Sequence, residues 1–340
     1  MIEPTLYRSS VDFLQQFQNS LPPFRWSFLF LPLPLFFTMA LDALGWRFLF
    51  PASGRPTYRS LLKAQIGTEA IFLSIPGGFA AADIAKVMIL RKREGVETAD
   101  SAASLVARRW ILGISQITFL ILCFGFDFGV MKNGLSRLLA GTNLGLVACA
   151  FIVLAAVALG AVTRLVVLGR FAGTLYSTLL LLPIPPVRRL LARHEESFRR
   201  ADECFRELGS GSKLVLSLSV LLYLATWVTE ALETFLVARY MGLGMSLTQV
   251  LIVEAILSIV KEAVFFLPSG IVVKDLGYVT LFSAFSIVIS PVQMLTFIVI
   301  KRFVMLLWVV VGFGLLLAEG VLPSVRQRVS KGLVIAEQEQ

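Results

Sequence analysis

Long apolar segments separated by short polar connections run along most of the chain. A helix that crosses a lipid bilayer needs roughly 20 apolar residues, and only helices and closed barrels satisfy their backbone hydrogen bonds in lipid. The pattern therefore predicts an all-α polytopic membrane protein. Five segments are long enough to span, and they run over Trp26 to Phe50, Ala99 to Phe126, Asn143 to Leu168, Leu214 to Ala238 and Pro291 to Leu317.

Two further apolar stretches are interrupted near their middles. Leu61 to Leu90 contains Pro76-Gly77-Gly78, and Val250 to Ser290 contains Pro268-Ser269-Gly270. Proline removes a backbone donor and breaks a helix, so we expect both stretches to be discontinuous. If each re-enters and returns to one side, the chain crosses about five times; if each crosses once, seven times. The alternative is that each proline only kinks an ordinary spanning helix.

Composition agrees with a membrane protein and excludes several function classes. The 340 residues are 57% hydrophobic and 16% charged, with a mean hydropathy of +0.81, so we expect no soluble catalytic domain. The net charge of +9 lies in short loops beside apolar runs, such as Lys86 to Arg93, which is the positive-inside pattern of a bacterial inner-membrane protein. It does not form a nucleic-acid-binding face.

The charged connections divide the chain into five parts. We predict an N-terminal interfacial segment (1–25), a first membrane repeat (26–170), a cytoplasmic or interfacial linker (171–212), a second membrane repeat (213–320) and a cytoplasmic tail (321–340). Within the linker, Arg188 to Gly211 has the spacing of a helix that lies at the lipid headgroups. A solvated linker between the two repeats is the alternative.

The two interrupted stretches resemble each other in sequence. PGGFAAADIAKV begins at Pro76, and PSGIVVKDLGYV begins 192 residues later at Pro268, so that Asp83 coincides with Asp275. Glu69 matches Glu262 after a one-residue slip, and Arg108-Arg109 matches Lys301-Arg302. The basic loops place the two copies in opposite directions across the membrane. Inverted repeats with paired broken helices are typical of transporters.

Ten charged residues lie within or near the apolar spans, where each uncompensated charge costs about 3 kcal/mol or more. We expect Arg109 or Arg302 to pair with Glu230 and Glu233. The charges form either a purely structural network or a polar cavity for a headgroup, and Asp83 and Asp275 have the alternative role of helix-start residues. The ten are Glu69, Arg108, Arg109, Glu230, Glu233, Glu254, Lys261, Glu262, Lys301 and Arg302.

Over Pro76 to Trp110 and Phe266 to Gly277, the chain resembles the lysylphosphatidylglycerol synthase transmembrane, or flippase-like, family. The shared pattern is a Pro-Gly-Gly element with an acidic residue and a basic loop, and later a Pro-x-Gly element followed by a charged pair, here Lys274-Asp275. The resemblance covers most of the chain from about Trp26 onward. The chain departs from the pattern at Arg108, where the family usually has Glu, at Val272 in place of Gly, and in lacking a spanning helix before Trp26.

The resemblance implies a protein that moves a polar-headed lipid, such as a phospholipid, a hopanoid or a polyprenyl-linked lipid, between leaflets. One alternative is a membrane-embedded, glycosyltransferase-like enzyme that uses Asp42, Asp83 or Asp275; another is a non-catalytic partner of a lipid-biosynthesis enzyme. We expect no catalytic constellation, metal or cofactor, since the one histidine, His194, has no partner at ligand spacing. The candidate lipid-binding residues are Pro76, Gly77, Gly78, Asp83, Arg108, Arg109, Glu230, Glu233, Pro268, Gly270, Lys274, Asp275 and Arg302.

Re-entry of the first interrupted stretch predicts that both of its ends face the cytoplasm. In a chain without Cys123, Cys149 and Cys204, single cysteines introduced as Arg59→Cys and Arg91→Cys should react with an impermeant thiol reagent only from the cytoplasmic side. Labelling of the two positions from opposite sides would replace the hairpin with a full crossing.

Overall fold

The structure is a computed structural model that describes residues 15, 18, 21–23, 25–50, 54–75, 78–126, 129, 134, 137, 171–180, 199, 202–203, 206, 213–263 and 271–320. Over these residues the fold is helical throughout. A 3₁₀ turn, Trp26–Phe30, precedes helices α1 Leu33–Arg47, α2 Tyr58–Ser74, α3 Gly78–Glu94, α4 Thr98–Phe126, α5 Phe171–Leu180, α6 Lys213–Tyr240, α7 Leu247–Ala263, α8 Ile271–Ala284 and α9 Pro291–Ala318.

Four of the five predicted spans are confirmed. The segments long and apolar enough to cross a membrane are Trp26–Arg47, Thr98–Gly125, Leu214–Tyr240 and Pro291–Ala318, and large apolar side chains such as Val310 remain exposed on their outer faces. The chain is therefore a multi-pass membrane protein. The fifth predicted span, 143–168, lies outside the described residues, as do most of the N-terminal segment and of the linker helix, the tail 321–340, and the break residues 76–77 and 268–270.

The first interrupted stretch forms a helical hairpin. At its open end the Thr57 amide donates to Glu94 Oε2 over 2.8 Å. At its tip the Gly78 amide donates to the Ile75 carbonyl over 2.8 Å, and a Cβ on Gly78 would lie only 2.7 Å from the Ile71 carbonyl oxygen. Helices α2 and α3 thus run antiparallel, and the interpretation of Pro76 as a simple kink is wrong. Gly78 is required because the two backbones approach too closely for any side chain.

The second interrupted stretch also turns back. The Tyr278 hydroxyl on α8 donates to Glu254 Oε1 on α7 over 2.5 Å, and a Cβ on Gly277 would meet the side chain of Leu257 on α7. Helix α8 therefore lies against α7, as α3 lies against α2. A kinked spanning helix is excluded here too, because a kink would leave the two halves end to end.

Helices α1 and α6, which hold equivalent positions in the two predicted repeats, pack against each other in antiparallel orientation. Thr38 of α1 and Thr229 of α6, 191 residues apart, share a hydrogen bond of 2.8 Å. Gly45 lies seven residues after Thr38 on α1, and Tyr223 lies six residues before Thr229 on α6. A Cβ on Gly45 would lie 3.0 Å from the ring of Tyr223. The two helices are therefore antiparallel. Two inverted copies require this arrangement, and their orientation across the membrane stays a prediction.

The other helix contacts follow the same correspondence. Helix α2 packs along α9, and its counterpart α7 packs along α4, where Gln116 donates to Ser258 over 3.1 Å. Each hairpin thus rests on the long helix of the opposite repeat, and this exchange ties the two repeats into one body.

A carboxylate at the end of α9 fastens this helix to the open end of the first hairpin. Arg93 donates to both oxygens of Glu319, from Nε over 2.7 Å and from Nη2 over 2.6 Å, and Lys63 lies 3.8 Å away. The hydrogen bonds from Arg93 hold the pKa of Glu319 below its ordinary value. Because the folded state lowers this pKa, the contact stabilises the protein above the unfolded-state pKa of Glu319 and is lost as pH falls through the lowered value.

We expect Glu319→Gln to lower the free energy of unfolding by about 1 kcal/mol at neutral pH, as for an exposed bidentate pair, and by less at acidic pH, where the carboxylate is protonated in any case. Unfolding of the detergent-solubilised protein at the two pH values measures the difference. The exposed Glu97 provides the control, since Glu97→Gln removes the same charge without an ion pair. A loss equal at both pH values would contradict the assignment.

Candidate functional site

Ion-paired side chains form two groups inside the helical bundle, one in each repeat. We call them the first half-site and the second half-site. The first half-site consists of Asp42, Gln65, Asp83, Lys86, Arg108 and Arg109. The second half-site consists of Glu230, Glu233, Thr234, Glu254, Lys274, Asp275, Tyr278, Lys301 and Arg302.

The inner part of the first half-site is a buried bidentate ion pair. Arg108 on α4 donates from Nε to Asp42 Oδ1 over 2.7 Å and from Nη2 to Asp42 Oδ2, and each residue is 7% exposed. Gln65 on α2 donates to the same carboxylate over 3.1 Å. Two parallel charge-assisted bonds fix a carboxylate and a guanidinium rigidly. This pair therefore joins α1, α2 and α4 in a single arrangement.

The outer part of the first half-site is a second arginine pair, open to its surroundings. Arg109 donates to Asp83 Oδ2 from Nη2 over 2.6 Å and from Nε over 3.1 Å, and its guanidinium lies 5.3 Å from the centre of the Phe79 ring. The Arg109 side chain is 46% exposed. On the buried side, Lys86 lies 3.7 Å from Asp83. An arginine so exposed, within a spanning helix, is available to a ligand.

The inner part of the second half-site is a row of five charges that alternate in sign. Lys274 Nζ lies 2.8 Å from Glu230 Oε1 and 3.3 Å from Glu254 Oε2. Lys301 Nζ lies 3.1 Å from Glu233 Oε2 and 3.6 Å from Glu254 Oε1. Glu254 is thus the central member, with a lysine on each side and a further glutamate beyond each lysine.

Two hydroxyl groups complete the surroundings of Glu254. The hydroxyls of Thr234 and Tyr278 both donate to its Oε1, and Lys301 in turn donates to Thr234 over 2.5 Å and to Tyr278 over 2.9 Å. Glu254 is only 4% exposed. A buried carboxylate needs this many partners because the loss of its hydration is costly.

The outer part of the second half-site repeats the outer pair of the first. Arg302 on α9 donates to Asp275 on α8, and each side chain is 25% exposed. Arg302 lies eleven residues after Pro291, and Arg109 lies eleven residues after Thr98. At 1.5 Å per residue both arginines are about 16 Å along their helices. The two outer pairs therefore lie at the same depth from the start of their spanning helices.

The predicted equivalence of the two repeats extends to their ion pairs. Asp42 corresponds to Glu233 and Arg108 to Lys301, so the inner pairs match; Asp83 corresponds to Asp275 and Arg109 to Arg302, so the outer pairs match. The four separations are 191 to 193 residues. Both kinds of contact thus occur at corresponding positions of the two predicted repeats, and the repeat itself stays a prediction.

The predicted partners of the arginines are wrong. Arg109 and Arg302 bind Asp83 and Asp275 of their own hairpins, whereas Glu230 and Glu233 bind lysines. Consecutive residues of a helix point about 100° apart, so the second basic residue of each pair cannot reach the carboxylates that the first one faces.

The helix-start interpretation of Asp83 and Asp275 is also wrong. Asp83 lies five residues inside α3, and Asp275 lies four residues inside α8. Neither position is close enough to a helix start to accept from its free amides, and each carboxylate instead accepts from an arginine.

The first residues of α2 and α7 change which of their residues correspond in the predicted repeats. Gln65 and Glu254 are both the eighth residue of their helices, which start at Tyr58 and Leu247, so they correspond across the repeats. The expected match of Glu69 with Glu262 is displaced by about one helical turn, because Glu69 lies 11 residues after the first residue of α2 and Glu262 lies 15 residues after the first residue of α7. Sequence reasoning missed Gln65, Lys86 and Tyr278, although Lys86 and Tyr278 coincide at the 192-residue separation of the two breaks, which was the available signal.

The other predicted site residues divide into two groups. Gly78 shapes the tip of the first hairpin, and Lys274 belongs to the charge row. Pro76, Gly77, Pro268 and Gly270 lie outside the described residues. Asp42, Glu254 and Lys301 were not in the predicted site and belong to it; the 191-residue separation of Asp42 from Glu233 was the available signal.

Comparison with known proteins gives one family. The family model described as "Lysylphosphatidylglycerol synthase TM region" matches residues 11–314, which confirms the resemblance in the interrupted stretches. No curated protein and no solved structure matches the chain.

The burial of the Asp42–Arg108 pair predicts strong coupling between its members. Asp42→Ala or Arg108→Ala alone should cost about 3–5 kcal/mol of unfolding free energy, because the remaining charge is left buried without a counterion. The double variant should cost less than the sum of the two losses. A double-mutant cycle on the detergent-solubilised protein measures the coupling.

The more exposed pair Asp83 and Arg109 serves as the control for this cycle. The side chains of Arg109 and Asp83 are 46% and 22% exposed, so their coupling should be about 1 kcal/mol or less. Additive losses for Asp42→Ala and Arg108→Ala would contradict the assignment of a buried pair.

Proposed function

Because the chain belongs to the lysylphosphatidylglycerol synthase TM family, a family of membrane proteins linked to lipid modification or flipping, we propose that it moves a polar-headed lipid between the two leaflets of a membrane. The headgroup passes through the bundle at the two half-sites while the acyl or prenyl tails stay in lipid. The host membrane in this proposal is the inner membrane of a bacterium.

The observation that carries the proposal is the presence, inside two spanning helices, of an exposed arginine, Arg109, and a partly exposed one, Arg302. Arg109 is 46% exposed about 16 Å along α4, and an arginine that faces lipid there costs about 3 kcal/mol or more. We infer that this face of α4 is hydrated rather than exposed to lipid. A guanidinium matches the geometry of a phosphate group, which is common to phospholipids and to polyprenyl-linked lipids.

The arrangement of the half-sites suits movement in two steps. Thr38 and Thr229 mark the contact between the antiparallel helices α1 and α6, and Asp42 and Glu233 each lie four residues beyond this contact. At 1.5 Å per residue, the two carboxylates are about 12 Å apart along the helix axes. Inverted repeats would place one half-site nearer to each leaflet, as in transporters that expose a central site alternately.

The enzyme alternative has weaker support in the geometry. A general base needs a carboxylate that is free to take a proton from its substrate. Asp42, Asp83 and Asp275 each accept hydrogen bonds from an arginine, so their oxygens are already engaged within the protein. We therefore propose that lipid movement involves no covalent chemistry. A biosynthetic enzyme would supply the lipid as a separate partner.

The arginines are better probes of this function than the break glycines. Gly78→Leu would destroy the hairpin, since even a Cβ at this position clashes with Ile71. In proteoliposomes, we expect the wild-type protein to accelerate the movement of a fluorescent phospholipid between leaflets. Arg109→Gln and Arg302→Gln should each lower that rate about tenfold or more, since a charge-assisted hydrogen bond is worth roughly 1.5–3 kcal/mol.

Arg91 supplies the matched control, because it is an exposed arginine in the last turn of α3. Arg91→Gln should leave the rate unchanged. If phospholipid, polyprenyl and hopanoid probes all remain in their leaflet with the wild-type protein, or if one emerges chemically modified when a nucleotide-sugar donor is added, the proposal is overturned in favour of a partner or an enzyme.

A further inference from the structure

We propose that Lys86 is a positioning residue of the first half-site: when a lipid phosphate binds Arg109, the carboxylate of Asp83 leaves this arginine and pairs with Lys86. The proposal rests on the proposed function and deepens it, because it assigns the stronger phosphate site to the first half-site. The exchange moves one carboxylate between two cations that already lie beside it, and no covalent bond changes.

Lys86 is a buried ammonium without a close acceptor among the described side chains. It is 5% exposed, and its one ion pair there is with Asp83, whose Oδ1 lies 3.7 Å from Nζ. That separation exceeds the roughly 3.2 Å limit of an ordinary N–H···O hydrogen bond. The centre of the Trp46 ring is 5.9 Å away, at the outer limit of a cation–π contact. A buried cation held this loosely is stabilised by any carboxylate that comes closer.

Asp83 is better placed than the other carboxylates near Lys86 to come closer. Asp42 is bound by both Nε and Nη2 of Arg108, and a carboxylate in a bidentate pair must break two bonds to leave. Glu69 of α2 attracts Lys86 from further away. Asp83 lies three residues before Lys86 on α3, and residues three apart share one face of a helix. A change in side-chain torsions can therefore close the gap without movement of the backbone.

The carboxylate of Asp83 already faces both cations. Arg109 donates from Nε and Nη2 to Oδ2, over 3.1 and 2.6 Å, whereas Oδ1 is the oxygen near Lys86. The Arg109 side chain is 46% exposed and that of Lys86 is 6% exposed, so the phosphate reaches the outer cation and the carboxylate moves to the inner one. The exchange leaves a phosphate with Arg109 and Asp83 with Lys86, and no carboxylate loses its counterion.

The residue at the matched position of the second half-site is neutral. Tyr278 lies 192 residues after Lys86, and its hydroxyl donates to Glu254. Asp275 therefore has a phenol, rather than an ammonium, three residues along its helix to receive it from Arg302.

Lys274 of the second half-site does not replace this ammonium. Its Nζ lies 2.8 Å from Glu230 and 3.3 Å from Glu254, so it is already bound to two carboxylates. It is also adjacent in sequence to Asp275, and consecutive residues of a helix point about 100° apart. Release of the arginine costs more in the second half-site than in the first, and the first half-site binds a lipid phosphate more tightly.

Binding of phosphatidylglycerol and of polyprenyl phosphate, each with a fluorescent tail, to the detergent-solubilised protein tests the exchange without any transport. Lys86→Met should weaken binding about tenfold or more, because Asp83 then leaves Arg109 without a close cation to receive it. Lys92→Met removes the same charge from an exposed position near the end of α3 and should leave the affinity unchanged. Equal affinities of the wild type and Lys86→Met would overturn the proposal.

Asp83→Asn separates the exchange from a direct attraction between Lys86 and the phosphate. This variant should bind the lipid more tightly than the wild type, because no carboxylate competes for Arg109. Lys86→Met should have no further effect in the Asp83→Asn background, since no carboxylate then needs a new partner. An unchanged or weaker affinity of Asp83→Asn, or an equal loss from Lys86→Met in both backgrounds, would overturn the exchange. The affinity of Asp83→Asn alone decides the matter if Lys86→Met fails to fold.

The arginine variants compare the two half-sites in the same assay. Arg109→Gln should lower the affinity more than Arg302→Gln, and an equal or larger loss from Arg302→Gln would overturn the assignment of the stronger site. If the wild-type protein binds and moves the lipid while Lys86→Met and Asp83→Asn leave its affinity unchanged, the exchange alone fails. If the wild-type protein neither binds nor moves any phospholipid, polyprenyl or hopanoid probe, the proposed function fails and the exchange with it.

Discussion

The cost of a charge in an apolar bundle determines how this protein is assembled. Each basic residue in the middle of α4, α8 and α9 would be prohibitive alone, and each is held by a carboxylate from another helix. The helix pairs that must meet are thereby specified: α4 with α1 and α3, α8 with α6 and α7, and α9 with α6, α7 and α8. Apolar packing does not specify partners in this way, because lipid tails are as apolar as the side chains that they replace. The ion pairs thus set the arrangement, and small residues such as Gly78 and Gly45 allow it to close.

The predicted internal repeat would account for the two sets of ion pairs in a single chain. Antiparallel contact of α1 with α6 brings equivalent residues together at Thr38 and Thr229, so each half completes the other. The hairpin of one half rests on the long helix of the opposite half. A break of the Glu319 contact would therefore loosen one hairpin from one long helix without separating the repeats, since the central contact is elsewhere.

The sequence alone was sufficient for the class of fold, for four spans and for the existence of paired broken helices, because these depend on local patterns of apolar residues, proline and glycine. It was also sufficient for the equivalence of Asp83 with Asp275 and of Arg109 with Arg302. It was not sufficient to predict which carboxylate each basic residue contacts. Which carboxylate Arg302 meets depends on the rotation of α9 about its axis. The match of Gln65 with Glu254 depends on the starts of α2 and α7, which lie 189 rather than 192 residues apart.

The inner ion pairs of the two half-sites differ in their basic residue. The inner pair of the first half-site uses Arg108, whose planar fork binds both oxygens of Asp42 and has one favourable orientation. The second uses Lys301, a point charge within 3.1 Å of Glu233 and 3.6 Å of Glu254. An ammonium with two nearby acceptors shifts between them at little cost, whereas a bidentate guanidinium must break two bonds to move. Rearrangement of the inner pairs is thus expected in the second half-site, where the charge row has an alternative set of pairings, and the inner pair of the first half-site acts as the rigid frame against which it moves.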